Sequence, residues 1–129
     1  MGARRYLFST IRGTLSEVLT DRDLASLGDA YVNFVYSIAF SNRRKKPLGV
    51  RVKGTLLAEG LRQAGLRHSL GSRMSRHSLA DAGEALIVYA WLNGNLTLDE
   101  SVAIVQKNED PVEGARLLLE TAKKRVTFP

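Results

Sequence analysis

The tightest constraint on this chain is the spacing of its apolar residues between positions 24 and 38. Leu24, Leu27, Tyr31, Phe34, Val35 and Ile38 recur every three or four residues. That period lines side chains up along an α-helix, whereas a strand would need strict alternation. The spacing predicts a helix over about 21–40, opened by Thr20 with Asp23 three later as a capping box. It should stop in SNRRKKPLG, where Pro47 and Gly49 mark a loop. A shorter helix is expected near 11–19. Leu56, Leu57, Gly60, Leu61 and Ala64 predict a third one ending near Gly65. RHSLGSRMSRHS has no clear period and reads as a loop with a short helical turn. From Ser78 the stripe Leu79, Ala82, Leu86, Tyr89, Ala90 resumes and Asn93-Gly94 ends it. Thr97 with Glu100 predicts a capped helix over 98–106. Asp110, Pro111 and Glu113 open a last one carrying Leu117, Leu118 and Ala122. Val50 with Val52, Ile87-Val88 and Ile104-Val105 are too short, or too well embedded in helical spacing, to demand strands. The expectation is an all-α domain of five to seven helices, with residues 1–129 forming a single domain.

Charge narrows the function. The formal net charge is +6, but residues 41–76 hold ten Lys or Arg against one acid, Glu59, a local net of +9. The rest of the chain holds nine against twelve, a net of −3. A basic centre between mildly acidic flanks suits a polyanion, RNA or DNA first; the plain alternative is a solvated, solubilising face. Arg43, Arg44, Lys45 and Lys46 are the first candidates for phosphate contacts, with Lys53, Arg73 and Arg76 next. The basic segment holds no aromatic residue, so a base-stacking single-strand platform is not expected. Cysteine is absent, which excludes disulfides and thiolate metal sites. No segment reads as a membrane span or a signal peptide, so the expected location is the cytoplasm, with no membrane partner.

Three acids stand out. Asp29 interrupts the apolar run SLGDAYVNFVYSIAF, and Asp81 and Glu84 lie three apart in DAGEALIVYAWL, on one side of a helix and close to its apolar stripe. Each has an ordinary explanation: Asp29 buried against an arginine, Asp81 at N3 of a helix capped by Ser78, Glu84 paired with Arg73 or Arg76. If the two helices pack together, three carboxylates converge instead, and three negative charges cannot share a small volume without cations or bound protons. All-oxygen ligation, with no cysteine and only two histidines, favours Mg²⁺ or Mn²⁺ over zinc. Hard cations beside a basic face suit phosphodiester hydrolysis.

These stretches resemble a known family. LASLGDAYVNF is similar to the signature helix of ribonuclease III domains, and DAGEALIVYAWL to the family's second acidic motif. The likeness spans roughly residues 15–107 and keeps the order, the Asp-x-x-Glu spacing and the Asn-Gly stop. RVKGTLLAEGLRQAG resembles the lysine-containing helix between the motifs. The best match is the short Mini-III type, which lacks an appended double-stranded RNA-binding domain. The resemblance implies an all-helical symmetric homodimer. The Leu24–Phe40 helix, apolar around much of its girth, is the expected interface, with a fully buried central helix of a monomer as the plain alternative. The resemblance also implies Mg²⁺-dependent cleavage of double-stranded or structured RNA, with ribosomal RNA precursors as an expected substrate and 5′-phosphate and 3′-hydroxyl ends. Asp29, Asp81 and Glu84 become the catalytic metal ligands. One departure stands in the signature helix: where the family carries a glutamate one turn before the aspartate, this chain has Ala25. That substitution supports a competing expectation, a catalytically weak or inactive RNA-binding or ribosome-associated relative. A helical DNA-binding regulator would explain the charge but leaves the three acids unused.

Overall fold

The computed structural model describes residues 8, 13–70 and 75–128. Within them it is all-helical. Six α-helices run α1 (Leu15–Leu19), α2 (Arg22–Arg44), α3 (Gly54–Gln63), α4 (Arg76–Leu92), α5 (Leu98–Lys107) and α6 (Pro111–Arg125), with a 3₁₀ turn at Arg67–Ser69. The turn sits in the loop expected to contain one.

Helix α4 forms the centre. Its residues 82–90 are all buried, and Glu84 is the one charged residue among them, so the helix must be covered on every side. Helices α1, α2, α3 and α6 pack against it, and α5 closes on α2 and α6. Fully buried Leu86 and Ile87 meet a core drawn from all six helices, including Val32, Leu61, Val105 and Leu118. Each such side chain contributes about 1.5–3 kcal/mol of burial.

Three boundaries differ from the sequence-based expectation, each for a local reason. Thr20 does not cap α2: its hydroxyl donates 2.9 Å to the Ser16 carbonyl at the end of α1. Asp21 caps α2 instead, accepting the Leu24 amide at 3.0 Å. At its other end α2 runs one turn beyond Phe40, through Ser41–Arg44, and stops only where Lys45 turns left-handed, φ 57°. Helix α4 starts earlier than Ser78, because Ser75 accepts the Ser78 amide at 3.1 Å and is the cap. Asp81 therefore lies in the second turn of the helix and caps nothing. The other two expected caps hold in part. Thr97 and Glu100 form a reciprocal capping box. Asp110 accepts the Val112 amide at 3.0 Å, while Glu113 turns to pair with Arg116 rather than completing a box.

Between α2 and α3 the chain runs back along α2 in extended form without making a strand. Three α2 side chains one turn apart hold it. Ser41 bonds the Leu48 amide (2.9 Å) and carbonyl (3.0 Å). Ser37 does the same for Val50 (2.9 and 3.3 Å), and Asn33 Oδ1 accepts the Val52 amide at 2.8 Å. The periods agree: four helical residues advance about 6 Å and two extended residues about 6.6 Å. Alternate residues of the segment can therefore meet successive turns of α2.

Candidate functional site

The site begins at a crossing that only glycine permits. A Cβ on Gly28 would lie 2.1 Å from the Glu84 carbonyl oxygen and 2.9 Å from the Glu84 Cβ. Real side chains never approach that closely, so the missing methyl lets α2 and α4 touch backbone to backbone. Asp29, the next residue, is thereby brought within hydrogen-bonding reach of the Glu84 carboxyl.

The acid that is buried is Glu84, 7% exposed, whereas Asp29 faces solvent and Asp81 is half-exposed. The apolar run around Asp29 had suggested the reverse. Gly28, not Asp29, points into the crossing, and Asp29 stays on the outer arc of α2 with Leu27 and Ala30. Burial first, then the contact with Asp29 and the charges of Asp29 and Asp81, push the Glu84 carboxyl up to about 8. At neutral pH Glu84 holds a proton in the absence of a cation. Asp29 also accepts from Asn33 Nδ2 at 3.4 Å.

These three acids line one cleft of about 360 Å³, together with Arg22, Ala25, Ser26, Val52, Gly54, His77 and Ala80. His77 Nε2 lies 3.7 Å from Asp81, one turn along α4. Among the described residues no arginine or lysine pairs with Asp29 or Glu84. The arginine-paired explanation for Asp29 therefore finds no partner there, and the capping explanation for Asp81 fails with the new start of α4. Arg73, one suggested partner of Glu84, lies outside the described residues, as does the side chain of Arg76.

The donor set fits a hard divalent cation: carboxylate groups adjoin, one of them buried beside like charge, and among the described residues no arginine or lysine pairs with it. Asp29 and Glu84 adjoin, and Asp81 joins them on the cleft wall. Among the described residues no three His, Asp or Glu side chains close into a ready-made cage. Ala25, 6% exposed, forms part of the same wall, where an acid would face Glu84 and Asp81.

The cations named from the sequence separate into three places. Lys53 stands at the head of α3 between two residues of the cleft wall, Val52 and Gly54, and is exposed. Arg44, Lys45 and Lys46 are exposed at the far end of α2, about 24 Å from Asp29 along the helix axis. Arg43 is tied down: its Nη2 donates to the carbonyls of Val105 (3.2 Å), Gln106 (2.7 Å) and Asn108 (2.7 Å), closing the C-terminus of α5. Two residues at the site escaped sequence reasoning: Arg22 on the cleft wall, and Asn33 beside it, which donates to Asp29 and carries no signal beyond its place one turn after that acid.

Helix α2 has a second unburied face. Phe34 is 55% and Leu27 37% exposed, with Ala30 open between them. Farther along, Phe34 and Ile38 border an open groove of about 830 Å³ that ends at Lys45–Gly49. Among the described residues no helix is long and apolar enough to cross a membrane.

The family model described as Ribonuclease III matches residues 22–124 of the chain. No curated protein matches it.

Proposed function

Because the chain belongs to the ribonuclease III family, whose members cleave RNA, we propose that it is a divalent-metal-dependent endoribonuclease acting on double-stranded or structured RNA. One observation carries the reading. Glu84 is buried in the α2–α4 crossing against Asp29, and no cationic side chain among the described residues balances the pair. Left alone, that arrangement costs free energy or takes up a proton; with a cation it is neutralised.

Asp29, Glu84 and Asp81 are the residues that would hold Mg²⁺ or Mn²⁺. Such an ion, when bound, polarises the scissile phosphate and supplies hydroxide from water at neutral pH. The protein does the rest. Gly28 sets the backbone separation on which the Asp29–Glu84 spacing depends. The apolar surroundings of Glu84 keep its carboxyl from being solvated and so raise its affinity for a positive partner. Arg22 and Lys53 flank the cleft and meet backbone phosphates, which positions a strand without reading its sequence. RNA duplexes are recognised by shape and 2′-hydroxyls, which suits a surface with few base-reading groups. Products carry 5′-phosphate and 3′-hydroxyl ends, and precursors of ribosomal RNA are a suitable structured substrate.

The exposed stripe Leu27, Ala30, Phe34 supports a symmetric homodimer through α2. It would bury apolar surface that a monomer leaves in water, and it would set two clefts against opposite strands of one duplex. The action is placed in the cytoplasm.

The test is an RNA duplex of about 25 base pairs incubated with the purified protein and Mg²⁺, then Ca²⁺ or EDTA. Cleavage in Mg²⁺ alone, abolished by Asp29→Asn, is expected. Ala25 removes an acid from the cleft wall and favours one alternative, an RNA-binding relative without catalysis. Duplex binding without cutting in Mg²⁺ or Mn²⁺ would establish that alternative and overturn the proposal.

A further inference from the structure

The ladder between α2 and the extended segment changes character at its last rung. Ser41 and Ser37 each bond both the amide and the carbonyl of one residue, Leu48 and Val50. Asn33 bonds only the Val52 amide, through Oδ1, and turns its Nδ2 to Asp29 instead. The orientation of this side chain is not free. Only the carbonyl oxygen can accept from the Val52 N–H, so the amino group must face the acid. Asn33 thus joins the extended segment to a carboxylate of the cleft.

Alternation along that segment decides what it shows to solvent. Residues 48, 50 and 52 turn toward α2 and are half-buried; residues 49, 51 and 53 are exposed. Two of the outward positions are Arg51 and Lys53, and among the described residues no acid pairs with either. They stand about 6.6 Å apart along an extended chain, a step comparable with that between neighbouring phosphates of one strand. Val52 between them and Gly54 beyond them line the cleft. Two unpaired cations in a row, on backbone pinned by five hydrogen bonds and leading to three acids, make a track for a polyanion.

We propose that the extended segment 48–53 is a phosphate rail, with Arg51 and Lys53 as its contacts and Asn33 as the positioning residue that fixes its register against Asp29. The ligand is the sugar-phosphate backbone of an RNA duplex, and the inference rests on the nuclease reading above. The rail sets which phosphodiester reaches the acids. Ser37 and Ser41 hold its far part, and Asn33 sets the last rung beside the site.

The test uses the full chain and a single RNA duplex with one defined cut. Binding is measured in Ca²⁺ across a range of salt. Replacing Arg51 and Lys53 together by alanine should weaken affinity about tenfold and flatten the logarithmic salt slope by about 2, because two phosphates are no longer neutralised. In Mg²⁺, Asn33→Ala should spread the cut over neighbouring bonds and lower kcat. Asn33→Asp keeps an acceptor for the Val52 amide but sets a like charge against Asp29, so it should hold the segment and the cut position while lowering kcat. Amide hydrogen exchange at Val52 should quicken at least tenfold in Asn33→Ala and stay slow in Asn33→Asp. A merely destabilised protein would lose active molecules without moving the cut. Unchanged affinity and salt slope in the double variant, or an unmoved cut in Asn33→Ala, overturns the rail and leaves the nuclease assignment standing. Binding that depends on Arg51 and Lys53 but leads to no cleavage overturns the nuclease assignment and leaves the rail. Absence of any RNA binding removes both.

Discussion

Glu84 makes folding stability depend on pH in a direction opposite to that of most carboxylates. Its pKa rises from 4.5 in the unfolded chain to about 8 in the fold, so between those values the native state binds a proton that the unfolded state does not. The stabilisation is complete below pH 4.5 and is lost as pH rises through 8. At about 1.4 kcal/mol per unit, the shift sets a ceiling of about 5 kcal/mol. Glu84 borders a water-accessible cleft, and relaxation there reduces the expected effect to about 2–3 kcal/mol. The assay is urea unfolding in EDTA from pH 5 to 9, comparing the wild type with Glu84→Gln. Glutamine keeps the shape and can still donate to Asp29, but it does not titrate. The wild type should lose stability relative to the variant with rising pH, and the variant should be the more stable at pH 8.5. Adding Mg²⁺ at about a hundred times its dissociation constant should return about 2.7 kcal/mol to the wild type, because the ion takes the place of the proton. The same coupling makes cation affinity increase with pH. A wild type whose stability runs parallel to that of Glu84→Gln across the whole range would refute the reasoning.

Other outcomes follow from single side chains. Gly28→Ala sets a methyl 2.1 Å from the Glu84 carbonyl; it must force α2 and α4 apart, at a cost of about 3 kcal/mol or more in unfolding experiments, with weaker Mn²⁺ binding. Lys45→Gly relieves a left-handed lysine, φ 57°. It should raise stability by about 1 kcal/mol while lowering duplex affinity, and a melting scan beside a binding titration reads both. Phe34→Glu places charge on the exposed α2 stripe, where the side chain is 55% open. Sedimentation should show monomers, with each monomer's core intact by circular dichroism.

The caps show where local reading works and where it stops. Thr97 with Glu100, and Asp110 before Pro111, were legible because a cap is decided within four residues. Ser75 and Ser78 are both good caps, and nothing local chooses between them. Arg43 was legible as a cation but not as the closure of α5, because its three carbonyl partners lie more than sixty residues away. Asn33 was not legible at all; its role exists only because the chain doubles back along α2.

By itself, the sequence determined the helical class, through apolar residues at a period of three to four, and singled out, through their placement in apolar stretches, three acids that the fold brings to one cleft. It also marked a basic middle third. The tertiary structure alone decided which acid is buried, which cations are free, and that Asp29 meets Glu84. Periodicity reports the face of a helix but not the partner of that face. Here the partner was chosen by a single absent methyl at Gly28, which sets the distance between two helices and with it the charge held in the cleft.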